Sequence, residues 1–299
     1  MLPPMGAEHR AACPACGAGD GRPVARAGGF TLIRCRSCDL VYACPAPRAR
    51  VREKYETEYD LAEIFAPLEA RKATLYATRL GWMPTPAAAR DQLCDVGCGN
   101  GQFLALAGAA GWRSSGIEMN PPAARRARER GYTVFEGVFE DLESLPWGTF
   151  DAVTSWDSLE HTPDPVPFVE RLARLLKVGG TLSLTTLNLP SLAWYLLGTK
   201  WSMVVEDHFT YWNRRSLTGI LSRHGFSVER VEIFGLGRDL VRWVSRLRVG
   251  RAAPGDGRAR VASGWDTRPV VLRAEAYLNR LFNVTGGGVG IGVVARRIR

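Results

Sequence analysis

The fold of this chain is decided by the stretch Leu93-Cys-Asp-Val-Gly-Cys-Gly-Asn-Gly-Gln-Phe-Leu104, which sets three glycines at alternate positions between an apolar run and a helix-like segment. Gly97, Gly99 and Gly101 let the backbone bend sharply and approach a ligand closely, because no side chain stands in the way. The next expected strand ends at Glu118, placed like the acid that accepts hydrogen bonds from ribose hydroxyls in nucleotide-binding βαβ units. The two features together predict a bound nucleoside at the end of the first strand.

The spacing of the glycines separates two classes of cofactor. A dinucleotide fingerprint reads Gly-x-Gly-x-x-Gly, whereas this loop reads Asp-x-Gly-x-Gly-x-Gly and lacks the third glycine for a helix start that faces a pyrophosphate. The loop resembles motif I of the class I S-adenosylmethionine-dependent methyltransferases, and the resemblance extends over residues 91–234.

The resemblance implies roles for particular residues. The glycine loop would cradle the methionine part of the cofactor, Asp95 would lie near its amino group, Glu118 would bind its ribose, and Met119 would lie against the adenine. The cofactor-binding residues predicted in this way are Asp95, Gly97, Cys98, Gly99, Gly101, Phe103, Glu118, Met119, Val138, Phe139 and Trp156.

One position departs from the family pattern. After the third strand the family often has Gly-Asp, in which the Asp binds the adenine amine, but here Gly137 is followed by Val138. Glu140 or Asp141 would then have to supply that contact.

A second signal lies near the N-terminus, where eighteen residues separate the pair Cys13 and Cys16 from the pair Cys35 and Cys38. This spacing is typical of four-cysteine zinc ribbons. Disulfides and inert buried thiols are the alternatives, and a reducing cytosol argues against the first. We expect structural Zn²⁺, because four thiolates leave no open coordination position. A ribbon before such a methyltransferase domain resembles a bacterial group that modifies small molecules and sugars.

The order of the elements predicts an α/β fold. Strands are expected at 92–96, 115–118, 133–136, 150–155, 181–187, 226–234 and 290–296, and helices at 101–110, 121–130, 166–176 and 214–224. Such alternation predicts a mostly parallel sheet with helices on both faces, which is the Rossmann-like fold of the class I methyltransferases. We interpret the glycine-rich segment 286–292 as a flexible turn into an edge strand.

Length and hydropathy predict the organisation of the chain. Its 299 residues accommodate one full-size domain and a small appendage. We expect a zinc-ribbon-like module at 1–50, a helical cap and linker at 51–90, and a methyltransferase domain at 91–299 with an insertion at 238–284. No apolar run reaches the ~20 residues that cross a bilayer, and the first ten residues lack the order of a signal peptide, so we expect a cytoplasmic protein. The sequence does not indicate an oligomeric state.

Asp157, Glu160 and His161 follow the fourth expected strand and share one face if a helical turn begins at Asp157. In one interpretation Glu160 and His161 only orient the loop through hydrogen bonds. In the other, the three side chains bind Mg²⁺ or a similar ion, as Glu-x-x-Glu-His does in the ubiquinone-pathway O-methyltransferases that this segment resembles. Here Asp replaces the first Glu and shortens its reach by one methylene.

Residues 189–212 combine a dense set of aromatic side chains with a histidine. The aromatic residues either pack a lid or form the walls of an acceptor pocket. His208, in this segment, or His161 is a candidate general base, since a neutral imidazole near pH 7 takes the proton of an acceptor hydroxyl as the methyl transfers. The predicted catalytic residues are His161, His208, Asp157 and Glu160.

The net charge of +9 is concentrated in the insertion, where residues 238–260 contain seven arginines and two aspartates. Leu240, Val244 and Leu247 fall on one helical face among these arginines. The segment either packs as extra helices on the domain or contacts an anionic membrane or a phosphate-bearing lipid carrier.

Three classes of function remain. We favour methyl transfer to an oxygen, or a carbon, of a small-molecule acceptor such as a sugar, polyketide or quinone-like metabolite. The alternative is a ribosomal RNA methyltransferase that recognises RNA through the ribbon. Against nucleic acid as a partner, Phe30 is the one aromatic residue between the cysteine pairs, which is a poor stacking platform. The intact glycine loop argues against the third class, a non-catalytic scaffold.

Overall fold

The computed structural model describes residues 12–46, 48, 69–88, 91–235 and 280–299. The strands in these ranges are β1 (Arg22–Ala27), β2 (Phe30–Arg34), β3 (Val41–Cys44), β4 (Gln92–Val96), β5 (Arg113–Glu118), β6 (Thr133–Glu136), β7 (Phe150–Trp156), β8 (Leu176–Leu187), β9 (Thr210–Tyr211), β10 (Phe226–Phe234) and β11 (Gly290–Arg297). The α-helices are α1 (Glu69–Leu80), α2 (Gln102–Ala109), α3 (Pro121–Glu129), α4 (Pro165–Leu175), α5 (Leu192–Leu197) and α6 (Arg214–Arg223).

Two expectations concern residues outside these ranges. The helical cap and linker expected at 51–90 are described only at 69–88, where α1 lies, and the basic segment 238–260 lies outside the described residues, so the predicted contact of that segment with a membrane or lipid carrier stays a prediction. None of the described helices is long and apolar enough to cross a membrane.

Seven strands form the central sheet in the order β10-β11-β8-β7-β4-β5-β6. The five strands from β8 to β6 are parallel, whereas β11 is antiparallel to both of its neighbours. Leu93 packs with residues of α2 and α3 on one face, and Cys94 packs with residues of α4 and α6 on the other. Strands buried on both faces need apolar residues at successive positions, as this strand has. The predicted α/β fold with a mostly parallel sheet is confirmed.

The last strand is not at the edge of the sheet, so that prediction is wrong. β11 lies between β10 and β8 and pairs with both, which leaves β10 at the edge. The glycines have a packing cause: a Cβ on Gly290 would lie 2.5 Å from a ring carbon of Phe234, and one on Gly292 would lie 2.6 Å from a ring carbon of Trp82. Glycine inside this strand therefore marks the close approach of aromatic rings.

A second, four-stranded antiparallel sheet has the order β1-β2-β3-β9. Its first three strands belong to the cysteine-containing N-terminal part, but β9 comes from the segment that precedes α6. Leu32 and Val41 of this sheet share a buried apolar cluster with Leu187, Trp201 and Tyr211. The N-terminal part and the central domain thus have a common core.

Candidate functional site

A cavity of about 860 Å³ opens at the carboxyl ends of the parallel strands β4, β5, β7 and β8. The loops that follow neighbouring parallel strands meet at this edge of a sheet. The wall also includes side chains of α1, the 3₁₀ turn Leu159–His161 and residues 201–203 and 208–209. The volume lies near the top of the range for small-molecule sites, roughly 300–1,000 Å³.

The glycine loop between β4 and α2 has the left-handed backbone that its glycines predict. Gly97, Gly99 and Gly101 have φ angles of 82°, 55° and 79°, which side chains rarely adopt. The amide of Gly99 donates to Oε2 of Glu118 over 2.8 Å, and that of Asn120 donates to Oε1 over 2.8 Å. Burial raises the pKa of Glu118, while the two amides act in the opposite direction. Its carboxylate is fixed at the cavity wall and retains lone pairs for further donors.

Most of the predicted cofactor-binding residues line the cavity, namely Gly97, Cys98, Gly99, Glu118, Met119, Val138, Phe139 and Trp156. Asp95, Gly101 and Phe103 lie behind the wall. Burial within the sheet raises the pKa of Asp95 to about 8, and its Oδ1 accepts a hydrogen bond from Oγ1 of Thr154 over 2.7 Å. Gly101 is the N-cap of α2, and the ring of Phe103 packs edge-on against that of Trp156.

An arginine that the sequence did not single out lies in the cavity wall. Arg79, in the last turn of α1, is buried, and its Nη2 donates to both carboxylate oxygens of Asp157 over 2.8 and 3.1 Å. Its guanidinium lies 5.3 Å from the ring centroid of Trp156. Nε of Arg79 and Nε1 of Trp156 are buried and have no acceptor among the described residues.

Asp157 does not share a helical face with Glu160 and His161, so that expectation is wrong. Asp157 has a left-handed φ of 54° and precedes the 3₁₀ turn that contains the other two residues. Its Oδ1 also accepts a hydrogen bond from Oγ1 of Thr185 over 2.7 Å. Desolvation opposes its ionisation, but the charge of Arg79 and the hydrogen bonds from Thr185 and Arg79 together outweigh that effect, and the pKa of Asp157 is lowered. The carboxylate is thus directed to an arginine rather than to a shared metal site.

The structure instead brings His208 to Glu160 and His161. A carboxylate oxygen and one ring nitrogen from each imidazole lie within 4.8 Å of one another, and the ring centroids are 4.7 Å apart. Glu160 is 2 % exposed and its Oε2 accepts a hydrogen bond from Oγ1 of Thr186 over 2.8 Å. Burial raises the pKa of Glu160 to about 8. Three of the four predicted catalytic residues therefore form one cluster in the cavity wall.

The hydrogen bonds of the two imidazoles define which ring nitrogen carries the proton. Nδ1 of His161 is 2.9 Å from the carbonyl oxygen of Asp207, and Nδ1 of His208 is 2.7 Å from that of Met203. A carbonyl oxygen only accepts, so Nδ1 carries the proton in both rings and Nε2 is the basic nitrogen. Burial lowers the pKa of His208 to about 3. His208 is consequently neutral at pH 7.

The aromatic segment 189–212 contributes to the core as well as to the cavity. Trp201, Tyr211 and Trp212 are each at most 2 % exposed. Of the six aromatic residues in the segment, Trp201 and Phe209 line the cavity. Both interpretations of the segment thus apply, each to a different subset of the rings.

The four cysteines of the N-terminal part lie close together. The Sγ atoms of Cys13 and Cys38 are 3.5 Å apart, as are those of Cys16 and Cys35, and all four sulfurs lie within 4.8 Å of one another. No disulfide joins them. Zn–S bonds of about 2.3 Å in a tetrahedron separate the sulfurs by about 3.8 Å, so the donor set fits Zn²⁺. Donation from the Cys13 thiol lowers the pKa of Cys38 to about 5.

Each cysteine pair sits on a tight turn. The amide of Gly17 donates to the carbonyl of Cys13 over 2.8 Å, and that of Asp39 donates to the carbonyl of Cys35 over 3.0 Å. Gly17 and Asp39 both have left-handed backbones, with φ angles of 75° and 68°. These turns direct both thiols of each pair to one point, as a ribbon requires.

Comparison with known proteins identifies relatives of this arrangement. A family model described as a methyltransferase domain matches residues 57–231. A ubiquinone biosynthesis O-methyltransferase from Xanthomonas oryzae pv. oryzae is 39% identical over 103 residues, which are 32% of this chain and 43% of that protein. One from Xanthomonas campestris pv. campestris is 34% identical over 158 residues, 48% of this chain and 66% of that protein. The chain thus spans less than two thirds of the length of these relatives.

Two solved structures share the fold. A SAM-dependent methyltransferase from Archaeoglobus fulgidus superposes with a TM-score of 0.52 at 20% identity and covers 75% of this chain and 93% of its own. An S-adenosylmethionine-dependent methyltransferase from Mesorhizobium loti superposes with a TM-score of 0.51 at 18% identity and covers 74% of this chain and 96% of its own. At these identities the likeness concerns the fold.

Proposed function

The chain belongs to the methyltransferase-domain family whose model matches it, and on this premise we propose that it transfers the methyl group of S-adenosylmethionine to a small-molecule acceptor. We propose an oxygen of a sugar, polyketide or quinone-like metabolite as the methyl acceptor, with a carbon as the less favoured site. The names of the partial relatives, ubiquinone biosynthesis O-methyltransferases, support an oxygen and a quinone-like ring.

The observation that carries the proposal is the carboxylate of Glu118 beside the left-handed glycine loop. Two backbone amides fix this carboxylate at the cavity wall, where its remaining lone pairs suit the hydroxyls of a ribose. S-adenosylmethionine, when bound, supplies an electrophilic methyl group on a sulfonium. Gly97 and Gly99 would hold its methionine part, and Met119 and Val138 would contact its adenine.

His161 is the general base that we propose. For transfer to oxygen, the cofactor would supply the methyl group and keep the electron pair of the carbon–sulfur bond on its sulfur, while Nε2 of His161 would take the proton of the acceptor hydroxyl as the oxygen–carbon bond forms. A base is most effective when its pKa lies near the working pH. With a pKa of about 3, His208 is a weak base, and its proposed role is to position the acceptor and His161.

Mg²⁺ is not part of this proposal. The cluster of Glu160, His161 and His208 offers one carboxylate and two imidazoles, whereas Mg²⁺ prefers oxygen ligands. Asp157, which would have added an oxygen, pairs with Arg79. The zinc that we propose is held by Cys13, Cys16, Cys35 and Cys38 and has a structural role.

Cofactor binding tests the proposal directly. Calorimetry of the full chain with S-adenosylhomocysteine is expected to give saturable heat, and NAD is expected to give none. A screen of hydroxylated small molecules with methyl-labelled cofactor then identifies the acceptor, with unlabelled ribosomal RNA as the competing substrate class. Binding of NAD in place of S-adenosylhomocysteine, or labelling of RNA alone, would contradict the proposal.

A further inference from the structure

A strand pair joins the ribbon to the part of the cavity wall that contains Glu160, His161 and His208, which we call the acceptor end. β3 follows the second cysteine pair and pairs with β9, with Val41 opposite Tyr211 and Tyr42 opposite Thr210. The amide of Ala43 also donates to the carbonyl of Phe209 over 2.9 Å. The strand that completes the ribbon sheet therefore begins two residues after His208.

The cysteine turns themselves contact α6, which begins just after β9. Nδ2 of Asn213 donates to the backbone carbonyl of Asp39 over 3.0 Å and to its Oδ2 over 2.7 Å. Arg215 donates to the carbonyl of Ser37, inside the second cysteine pair, and Arg223 donates to that of Ala15, inside the first. Both turns are thus held by the methyltransferase domain.

The other side of β9 contacts the catalytic turn. The amide of Phe209 donates to the carbonyl of Glu160 over 2.8 Å, and Oγ1 of Thr210 donates to that of Leu159 over 3.1 Å. Residues 209–210 therefore connect the ribbon sheet on one side with the turn that carries Glu160 and His161 on the other. The carboxylate of Glu118, in contrast, accepts its hydrogen bonds from the backbone amides of Gly99 and Asn120.

We propose that the zinc ribbon is a positioning element of the acceptor site, in which the bound metal fixes β9 and thereby the relative positions of His208, Glu160 and His161. Zinc occupancy then controls acceptor binding and turnover, while cofactor binding is independent of it. The catalytic consequence rests on the proposed function, whereas the structural coupling does not.

Hydrogen exchange of the full chain, with zinc bound and after its removal by a chelator under reducing conditions, tests the coupling. Amides of residues 205–213 are expected to exchange at least about tenfold faster without zinc. Without the metal, this segment can unfold locally while the rest of the chain stays folded. Amides of residues 92–101 and 113–120 should keep their protection, and the affinity for S-adenosylhomocysteine should stay within about twofold. Unchanged exchange at 205–213 would overturn the proposal, as would an equal loss of protection at 92–120, which would mean that zinc stabilises the whole fold.

A variant that keeps all four thiols separates coupling from metal loss. Asp39→Gly with Arg215→Ala removes two contacts between the ribbon and α6, and glycine accommodates the left-handed backbone at position 39. The matched control is Arg214→Ala, an exposed neighbour of equal charge. The double variant, with its zinc content verified, should show faster exchange at 205–213 and a raised KM for the acceptor, while the control behaves as wild type. Wild-type exchange in the double variant would contradict the coupling. If S-adenosylhomocysteine does not bind even the zinc-loaded chain, the proposed function fails, but the exchange result still decides the coupling.

Discussion

The two ends of the cavity are built in different ways. At the proposed cofactor end, the glycine loop and Glu118 belong to one βαβ unit, and the backbone amides of Gly99 and Asn120 fix the carboxylate. At the proposed acceptor end, Arg79, Glu160 with His161, and His208 come from three separate segments of the chain. The cofactor end is thus defined by local backbone geometry, whereas the acceptor end depends on contacts between distant segments. Changes at the two ends should therefore affect different measurable quantities.

The largest effect is expected from His161→Ala. Loss of a general base lowers kcat by about 10²- to 10⁴-fold, while the affinity for S-adenosylhomocysteine should stay unchanged because Glu118 is fixed by the amides of Gly99 and Asn120 and not by His161. His208→Ala should lower kcat less, since a group with a pKa near 3 is a weak base. Steady-state kinetics with the identified acceptor measures both. A larger loss of kcat in His208→Ala than in His161→Ala would reverse the assignment.

A smaller effect, on binding rather than on turnover, is expected from Glu118→Ala. Hydrogen bonds to a charged group contribute about 1.5–3 kcal/mol, so the affinity for S-adenosylhomocysteine should fall by roughly 10- to 100-fold. Glu136→Ala is the matched control, because Glu136 lies opposite Glu118 on the neighbouring strand and pairs with Arg128 outside the cavity wall. Calorimetry compares the two. Equal losses of affinity would show that Glu118 acts only through the fold.

The same contrast explains what the sequence could predict. The strands, the glycine loop and Glu118 follow from periodicity and from glycine at left-handed positions, which are local properties. The contact of Arg79 with Asp157 joins residues 78 positions apart, and an arginine in the last turn of a helix gives no sign of its partner. Two-residue strands such as β9 carry no periodic pattern at all. The pairing of β9 with β3, which attaches the ribbon to His208, therefore needed the tertiary structure.

The position of the last strand was missed for a related reason. The pattern of residues 290–296 predicts a strand but does not show which strands lie beside it. That position depends on the fit of shapes, because the glycines of the strand leave room for the rings of Trp82 and Phe234. Likewise, a helical turn that begins at Asp157 is a reasonable expectation from spacing, but the spacing shows neither the left-handed backbone of that residue nor its ion pair with Arg79. Local patterns thus indicate which element forms and leave its partners open.

Arg79→Met tests how much the contact between Arg79 and Asp157 contributes to the stability of the folded chain. The substitution leaves Asp157 without its cation, and the free energy of unfolding should fall by about 1–3 kcal/mol, below the usual cost for a broken buried pair because Asp157 is half-exposed. The double variant Arg79→Met with Asp157→Asn should recover part of this loss, since no unpaired charge remains. Urea unfolding measures both variants. Strictly additive losses would show that the two side chains do not interact.

The last effect becomes visible only when the pH is changed, and it concerns Asp95, which lies in the sheet just before the glycine loop. Burial raises its pKa from 3.8 to about 8 in the folded chain, so folding binds a proton between these two values. The resulting stability is fully present below pH 3.8 and is lost as the pH rises through 8, with a slope of at most about 1.4 kcal/mol per pH unit. Asp95→Asn retains an acceptor for the hydroxyl of Thr154 and removes the titration, so its free energy of unfolding should decline less between pH 5 and pH 8 than that of wild type. Urea unfolding at several pH values measures this difference. If the free energies of unfolding of the two proteins followed parallel pH profiles, Asp95 would be ionised in the folded chain and the prediction would be wrong.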